Sequence, residues 1–183
     1  DRKQPLQQGQ AYYFRVHVGE AEASSIEAAP ALLPAQLLRE TVDLRVVIFS
    51  EDFGLSEDTG VLRVPTDGPA SVAEPASTPA GIAAGDPLLS ERLFFLVRVP
   101  GGKRGVCSLR VNIYRNSMLV QSRLVRARVG AGRPLAENGA QLLSALDYNL
   151  SPALTPGHLG AVAPHKLSLM LNADDEGNQA FRL

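Results

Sequence analysis

The sequence predicts an all-β fold, namely an antiparallel, immunoglobulin-like β-sandwich with one short helix. Apolar and polar residues alternate in several segments, and this period of two is typical of strands with one buried face. About eight such segments are separated by turn residues, and none has the pattern of a long helix. A chain of this kind buries its apolar faces by packing two sheets against each other.

The N-terminal part of the chain contains three of these strands. Residues 12–18 alternate apolar with more polar side chains, and residues 42–49 repeat the alternation. Residues 61–64 are a short strand that ends at Pro65. Residues 1–10 precede the first strand and are predicted to be an N-terminal extension.

The central part has the clearest pattern. Strands are predicted at residues 92–99, 106–114 and 118–129, with a Pro-Gly-Gly turn after the first and an Arg-Asn-Ser turn after the second. In the third strand the apolar phase changes at Leu124 and Val125, which a β-bulge would explain. We therefore expect these strands to be neighbours in an antiparallel meander.

Two connections interrupt the strands. Residues 66–87 are rich in Pro, Ala, Gly and Ser and predict a long, mobile loop. Residues 130–138 are a second connection, followed by a short helical turn at residues 140–145.

The C-terminal part returns to strands, which are predicted at residues 146–150, 166–172 and 179–183. Between them, Thr155 and Pro156 have the pattern of a helix N-terminus, and the helix is expected to end near residue 162. We expect residues 11–183 to form a single domain, which is within the usual size range.

Charge is distributed unevenly along the chain. Residues 92–136 hold ten of the eighteen Lys and Arg residues and none of the nineteen Asp and Glu residues, although the net charge is −1. If the apolar residues of the meander face the core, many of these arginines project from its opposite face. The predicted interaction residues on this surface are Arg92, Arg98, Arg110, Arg123, Arg126 and Arg128.

Three hypotheses account for this arginine surface. It is a solvated face, with some arginines paired with acids of neighbouring strands such as Asp43. Alternatively it docks on an acidic surface of an adjoining domain or a second subunit, because the planar guanidinium group is favoured in interfaces. Nucleic acid is the least favoured partner, since the net charge is not basic and stacking aromatics are few.

A second candidate surface is the loop around Phe53. Glu51 and Asp52 precede this residue, and Glu57 and Asp58 follow it. Such an apolar tip framed by acidic residues is more often a solvated hairpin turn, and the other hypothesis is a docking loop with Phe53 as its interaction residue.

No catalytic, cofactor or metal site is predicted. Cys107, the one cysteine, lies on the inward side of its strand, where a thiol is usually an inert apolar group. His17, His158 and His165 lie in no nucleophile motif and lack the spacing of metal ligands. Residues 172–177 alternate oxygen-bearing side chains as calcium loops do, but no bidentate Glu follows, so a turn is predicted.

Composition also bears on the compartment. The apolar runs are short and broken by charges, so no membrane span is predicted. One cysteine favours a reducing compartment, and we expect a cytoplasmic protein.

Three stretches of the chain, at residues 94–100, 109–129 and 146–172, resemble a β-sandwich module of large bacterial multidomain proteins. In those proteins the module lies beside caspase-like (CHAT) peptidases, nucleoside triphosphatases or other effector domains of conflict and defence systems. The resemblance implies an accessory role in sensing, assembly or control of an effector. It implies no catalytic residue in this chain.

These features together favour a non-enzymatic interaction or regulatory module that docks on an effector domain or partner subunit. One alternative is a carbohydrate- or peptide-binding sandwich in which Tyr12, Tyr13 or Tyr114 would stack on the ligand. Another is a part of an enzyme whose active site lies in a missing domain.

Overall fold

The computed structural model describes residues 3–19, 25–26, 33, 39–149, 170–173 and 179–182, the last two ranges as backbone only. The chain divides into two compact units, Asp1–Leu150 and Ser151–Leu183. In chain order, the elements of the first unit are β1 (Ala11–Val16), β2 (Val42–Phe49), β3 (Gly54–Leu55), β4 (Thr59–Val64), β5 (Ser71–Glu74), α1 (Pro87–Glu91), β6 (Leu93–Arg98), β7 (Gly105–Arg115), β8 (Met118–Val129) and β9 (Leu142–Asn149).

These strands form two sheets in which all neighbours are antiparallel. The larger sheet has the order β5-β4-β2-β7-β8-β9, and the smaller sheet has the order β1-β6-β3. The strand alternation in the sequence explains this pairing, because each strand presents one apolar face. We call the face of the larger sheet that packs on the smaller sheet its inner face, and the opposite one its outer face.

Alternate side chains of both sheets fill the space between them. Leu44, Val46 and Ile48 of β2 have no exposed surface, and Leu93 and Phe95 of β6 meet them in the same core cluster. Burying a side chain of this kind contributes about 1.5–3 kcal/mol. The prediction of an all-β, antiparallel sandwich is therefore confirmed.

The predicted three-stranded meander is wrong in its first strand. β7 and β8 form the expected hairpin, but β6 lies between β1 and β3 in the smaller sheet. Residues 99–104 thus cross from one sheet to the other instead of closing a hairpin. β6 is apolar on both faces, with Phe94 and Phe95 both buried, as suits a central strand.

The bulge of β8 lies elsewhere than predicted. Leu109 pairs with Val125 and Ile113 pairs with Gln121, so the register is continuous at the predicted position. The shift falls between Ile113 and Tyr114, and it leaves Val120 as the extra residue near the β7–β8 turn. The apolar alternation along β8 changes for another reason. Two inward positions of this strand hold polar residues, Gln121 and Arg123, which pair with the inward-facing Ile113 and Val111.

The connections contain more structure than the sequence predicts. β5 lies within residues 66–87, and the short helix α1 begins at their end, where the Asp86 carboxylate accepts a hydrogen bond from the Leu88 N–H at 2.9 Å. The helical turn predicted at residues 140–145 is wrong, because residues 142–145 belong to β9. In the predicted extension, Leu6 forms a parallel bridge with Val129.

The second unit contains a two-stranded antiparallel hairpin of β10 (Met170–Ala173) and β11 (Gln179–Arg182). These strands overlap the segments predicted as residues 166–172 and 179–183, and β10 ends one residue later than predicted. The helix predicted for residues 155–162 lies outside the described residues.

A glycine in β4 allows the two sheets to approach. A Cβ atom on Gly60 would lie 2.8 Å from Leu93 Cδ2 and 3.3 Å from the Ala76 Cβ. We expect Gly60→Ala to lower the free energy of unfolding by about 1–3 kcal/mol, because the core has no room for the added methyl group. Urea denaturation measures this change. Gly101→Ala is the control, since nothing lies within 4 Å of its Cβ position, and an equal effect in both variants would contradict the packing argument.

Candidate functional site

The six predicted interaction arginines do not share one sheet. Arg98 is the last residue of β6 in the smaller sheet, and Arg92 lies directly before that strand. Arg110 belongs to β7, and Arg126 and Arg128 belong to β8 in the larger sheet. The predicted common surface is wrong because β6 is not a neighbour of β7.

Arg123 differs from the other arginines of β8 in the side of the sheet that it occupies. It pairs with Val111, whose side chain is buried in the core, and its Nε donates to Gln121 Oε1 at 2.9 Å. Its predicted outward position followed from the misplaced bulge. The outer face therefore keeps three of the predicted arginines, namely Arg110, Arg126 and Arg128.

Acidic residues from other segments neutralise part of the basic stretch. On the outer face Arg110 pairs with Asp147 of β9, and it also donates to Ser122 Oγ at 3.0 Å. Further ion pairs join Arg92 to Glu91 at 3.0 Å, Lys103 to Asp52 at 2.6 Å and Arg115 to Glu40 at 2.5 Å. Asp43, the acid that the sequence suggested, pairs with Arg63 of the adjacent β4 instead.

Phe53 does not form an exposed docking tip. Its side chain is 7% exposed and belongs to the core cluster. The Ser50 hydroxyl accepts a hydrogen bond from the Phe53 N–H at 3.1 Å and so holds the chain in the turn that carries this ring inward. The prediction of an exposed Phe53 at the tip of the loop is therefore wrong, since the ring is buried while Glu51, Glu57 and Asp58 stay exposed.

The same loop builds a polar cluster at the end of β2. Asp52 accepts hydrogen bonds from the Ser108 N–H at 2.7 Å and from the Ser108 hydroxyl at 3.2 Å. Ser50 donates to the Ser108 carbonyl at 2.5 Å. Because β2 leaves β7 after Phe49, these two side chains satisfy the backbone groups of Ser108 that a continued strand would have bonded.

A serine beside a carboxylate and an ammonium group invites comparison with nucleophilic catalysis, which needs a base to take the hydroxyl proton. The hydrogen bond from Lys103, followed by that from the Ser108 N–H, lowers the pKa of Asp52. The same bond to Asp52 raises the pKa of Lys103. The lysine is held in its protonated form, so this cluster stabilises the turn and does not activate Ser108.

Cys107 lies on the inner face of β7 with no exposed surface. Burial, and then the charge of Asp52, raise the pKa of its thiol above the ordinary value. A thiol in this state is a poor nucleophile. Among the described residues, no group of three or more His, Cys, Asp or Glu could hold a metal ion, and no helix is long and apolar enough to cross a membrane.

Arg128, which the sequence predicted as an interaction residue, lies across from Gln141, which no sequence pattern pointed to and which directly precedes β9. The Arg128 N–H donates to the Gln141 carbonyl at 2.8 Å, so the pairing of β8 continues to the residue before the start of β9. Arg128 Nε and Gln141 Oε1 are both buried without a hydrogen-bond partner. No sequence pattern could reveal this pair, because it depends on the β8–β9 register and on the course of the loop between them.

A comparison with curated proteins finds a relative, a probable protease from Vitiosangium sp.. The two sequences are 40% identical over 176 residues, which cover 94% of this chain and 22% of the relative. The chain thus spans about a fifth of the length of the curated relative that it matches. No family model matches the chain, and no solved structure matches it.

This similarity contradicts two predictions made from the sequence. The chain was expected not to be an enzyme and to act as a non-enzymatic docking module, whereas the relative is named a probable protease. The prediction rested on the uneven distribution of charge and on the missing catalytic motif. It was wrong because a chain can be similar to a probable protease along nearly its whole length without containing a short catalytic motif.

Removal of the Asp52 carboxylate should destabilise the fold. We expect Asp52→Ala to lower the free energy of unfolding by about 1–3 kcal/mol at neutral pH, because the half-buried Ser108 N–H loses its acceptor. The pKa of Asp52 is lowered in the folded chain, so its contribution is present above the unfolded value of about 4 and is lost as the pH falls through the folded value. Chemical denaturation at neutral and acidic pH measures this difference.

The exposed Asp67→Ala variant is the matched control and should change stability little at either pH. A difference between wild type and Asp52→Ala that grows toward acidic pH would contradict the assigned role of this carboxylate.

The Cys107 thiol should be unreactive in the folded chain. We expect its reaction with a chromogenic disulfide to be at least about tenfold slower than in denaturant, because the side chain is buried and its pKa is raised. Absorbance of the released thiolate gives both rates in one experiment. Equal rates in buffer and in denaturant would show that the thiol is accessible.

Proposed function

We propose that this chain is part of a proteolytic protein. The observation that carries the proposal is the 40% identity to a probable protease, which extends over 94% of the chain. A relationship of this extent involves the strands, turns and core together and not a short shared segment. The chain corresponds to 22% of the relative, which leaves room in a protein of that kind for further segments with catalytic groups.

The described side chains guide where the catalytic groups should be sought. Ser108 is bonded to an ionised Asp52, and Lys103 is kept protonated by the same carboxylate. Cys107 is buried with a raised pKa. We therefore propose that the nucleophile or metal of the proteolytic reaction lies outside the described residues.

The sequence resemblance suggests which peptidase class to test first. Modules similar to this sandwich lie beside caspase-like (CHAT) peptidases, and peptidases of the caspase type use a cysteine nucleophile with a histidine. Because Cys107 is the one cysteine of this chain and is buried, we propose a nucleophilic cysteine in another segment of the protein.

Incubation of the whole protein that contains this chain with casein tests the proposal. We expect new peptide termini, detected by mass spectrometry, and we expect iodoacetamide to suppress them because a thiolate nucleophile would be alkylated. Cys107→Ala should leave the cleavage rate unchanged within about twofold, since a buried thiol takes no part in the chemistry.

Two further results would decide against parts of this proposal. Absence of new termini over a range of pH, with and without divalent metal ions, would overturn a proteolytic function. Loss of cleavage in a correctly folded Ser108→Ala variant would instead place the nucleophile in the described cluster.

A further inference from the structure

One end of the outer face carries basic side chains that have no acidic partner. Arg126 lies opposite Ser108, and Arg128 lies opposite Val106, so both arginines project from the outer face where β7 begins and β8 ends. In the described part of the chain, neither guanidinium group takes part in a hydrogen bond or an ion pair. The other outer-face arginine of the predicted set, Arg110, is paired with Asp147.

The separation of these two arginines favours a shared anionic ligand. Residues two positions apart on a strand lie on the same face with Cα atoms about 7 Å apart. Two like charges at this spacing repel each other unless an anion lies between them. Guanidinium groups are well suited to this task, because each can present two parallel N–H donors to a carboxylate.

A buried donor and a buried acceptor lie beside this charge. Gln141 is 8% exposed, and its Oε1 has no hydrogen-bond partner. It lies across from Arg128, whose Nε is also buried and unpaired. Unpaired polar atoms in a protein interior are unfavourable. Both atoms are covered, so a ligand reaches them only when these two side chains rotate, and a group that supplies an acceptor for Arg128 and a donor for Gln141 then satisfies both.

The centre of this surface is apolar. Val106, opposite Arg128, is 49% exposed, and Leu143, opposite Arg126, is half-buried. The surface thus combines positive charge, an exposed aliphatic side chain and an unpaired amide oxygen. We call the surface formed by Val106, Arg126, Arg128 and Gln141 the basic end.

We propose that the basic end binds an acidic segment of polypeptide, with a carboxylate at Arg126 and Arg128 and an N–H group at Gln141. A peptide carries both chemical groups, whereas the phosphodiester backbone of DNA carries no hydrogen-bond donor at neutral pH. The net charge of −1 also opposes broad attraction to nucleic acid. This inference does not depend on the proposed proteolytic function, because it concerns binding alone.

Fluorescence anisotropy with the full chain tests this inference. The probe is a fluorescein-labelled peptide of alternating Glu and Gly, and its partner probe has Gln in place of each Glu. We expect the Glu peptide to bind and Arg126→Gln together with Arg128→Gln to weaken its binding at least about tenfold, because both cationic groups are lost. Higher salt should weaken it as well, since the contact is electrostatic.

Arg45→Gln is the matched control variant. Arg45 is an exposed arginine on the same outer face, opposite Tyr114, and the two sites are about 20 Å apart along β7. We expect Arg45→Gln to change the affinity less than about twofold, because screening limits its influence at this distance.

Gln141→Leu separates binding from folding. It removes the unpaired amide oxygen, so the melting temperature should be unchanged or higher, whereas affinity for the Glu peptide should fall about threefold or more. If Arg128→Gln impairs folding, Arg126→Gln alone replaces the double variant, since Arg126 is exposed.

Several outcomes would overturn the inference. These are no binding of the Glu peptide, equal binding of the Gln peptide, or an equal loss of affinity in Arg45→Gln. Tighter binding of a labelled oligothymidylate than of the Glu peptide would also overturn it, because the partner would then be a nucleic acid. Each outcome is independent of whether the whole protein cleaves casein.

Discussion

The packing of β6 against the larger sheet is the constraint on which the rest of the structure depends. Leu93 and Phe95 are buried against β2 and β4, and Gly60 provides the space in which Leu93 lies. Since β6 occupies the opposite sheet, the chain must cross between sheets before β7 begins. This crossing brings Lys103 to Asp52, and it separates Arg98 from the arginines of β8.

The alternation of apolar residues predicted most strands because burial of one face selects for it. The bounds of β2 and β8 were predicted to the residue, and the β7–β8 hairpin followed from its short turn. Sheet membership could not be predicted in the same way. A strand such as β6 has apolar residues on both faces, and its pattern does not say which partner covers each of them.

The candidate site was predicted less well for the same physical reason. Whether an arginine is paired depends on strand register and on acids that are distant in sequence, as Arg110 with Asp147 and Arg115 with Glu40 show. Phe53 was assigned to the surface because its neighbours are acidic, yet Ser50 turns the chain so that the ring enters the core. The charge composition identified residues 92–136 as the basic segment. Which of its arginines lack an acidic partner is known only from the ion pairs in the folded chain.

The internal pairing of polar groups also bears on how the chain can contribute to proteolysis. Around Ser108 each strong donor has an acceptor, and the ion pair of Asp52 with Lys103 keeps both groups in their ordinary charged forms. A catalytic base must instead be able to accept a proton at the working pH. The groups at the basic end are arranged in the opposite way, because charge and hydrogen-bonding capacity remain unused there. Recognition of a ligand, rather than proton transfer, is the chemistry that such unused groups favour, and the end of β8 brings two of them together beside Arg126.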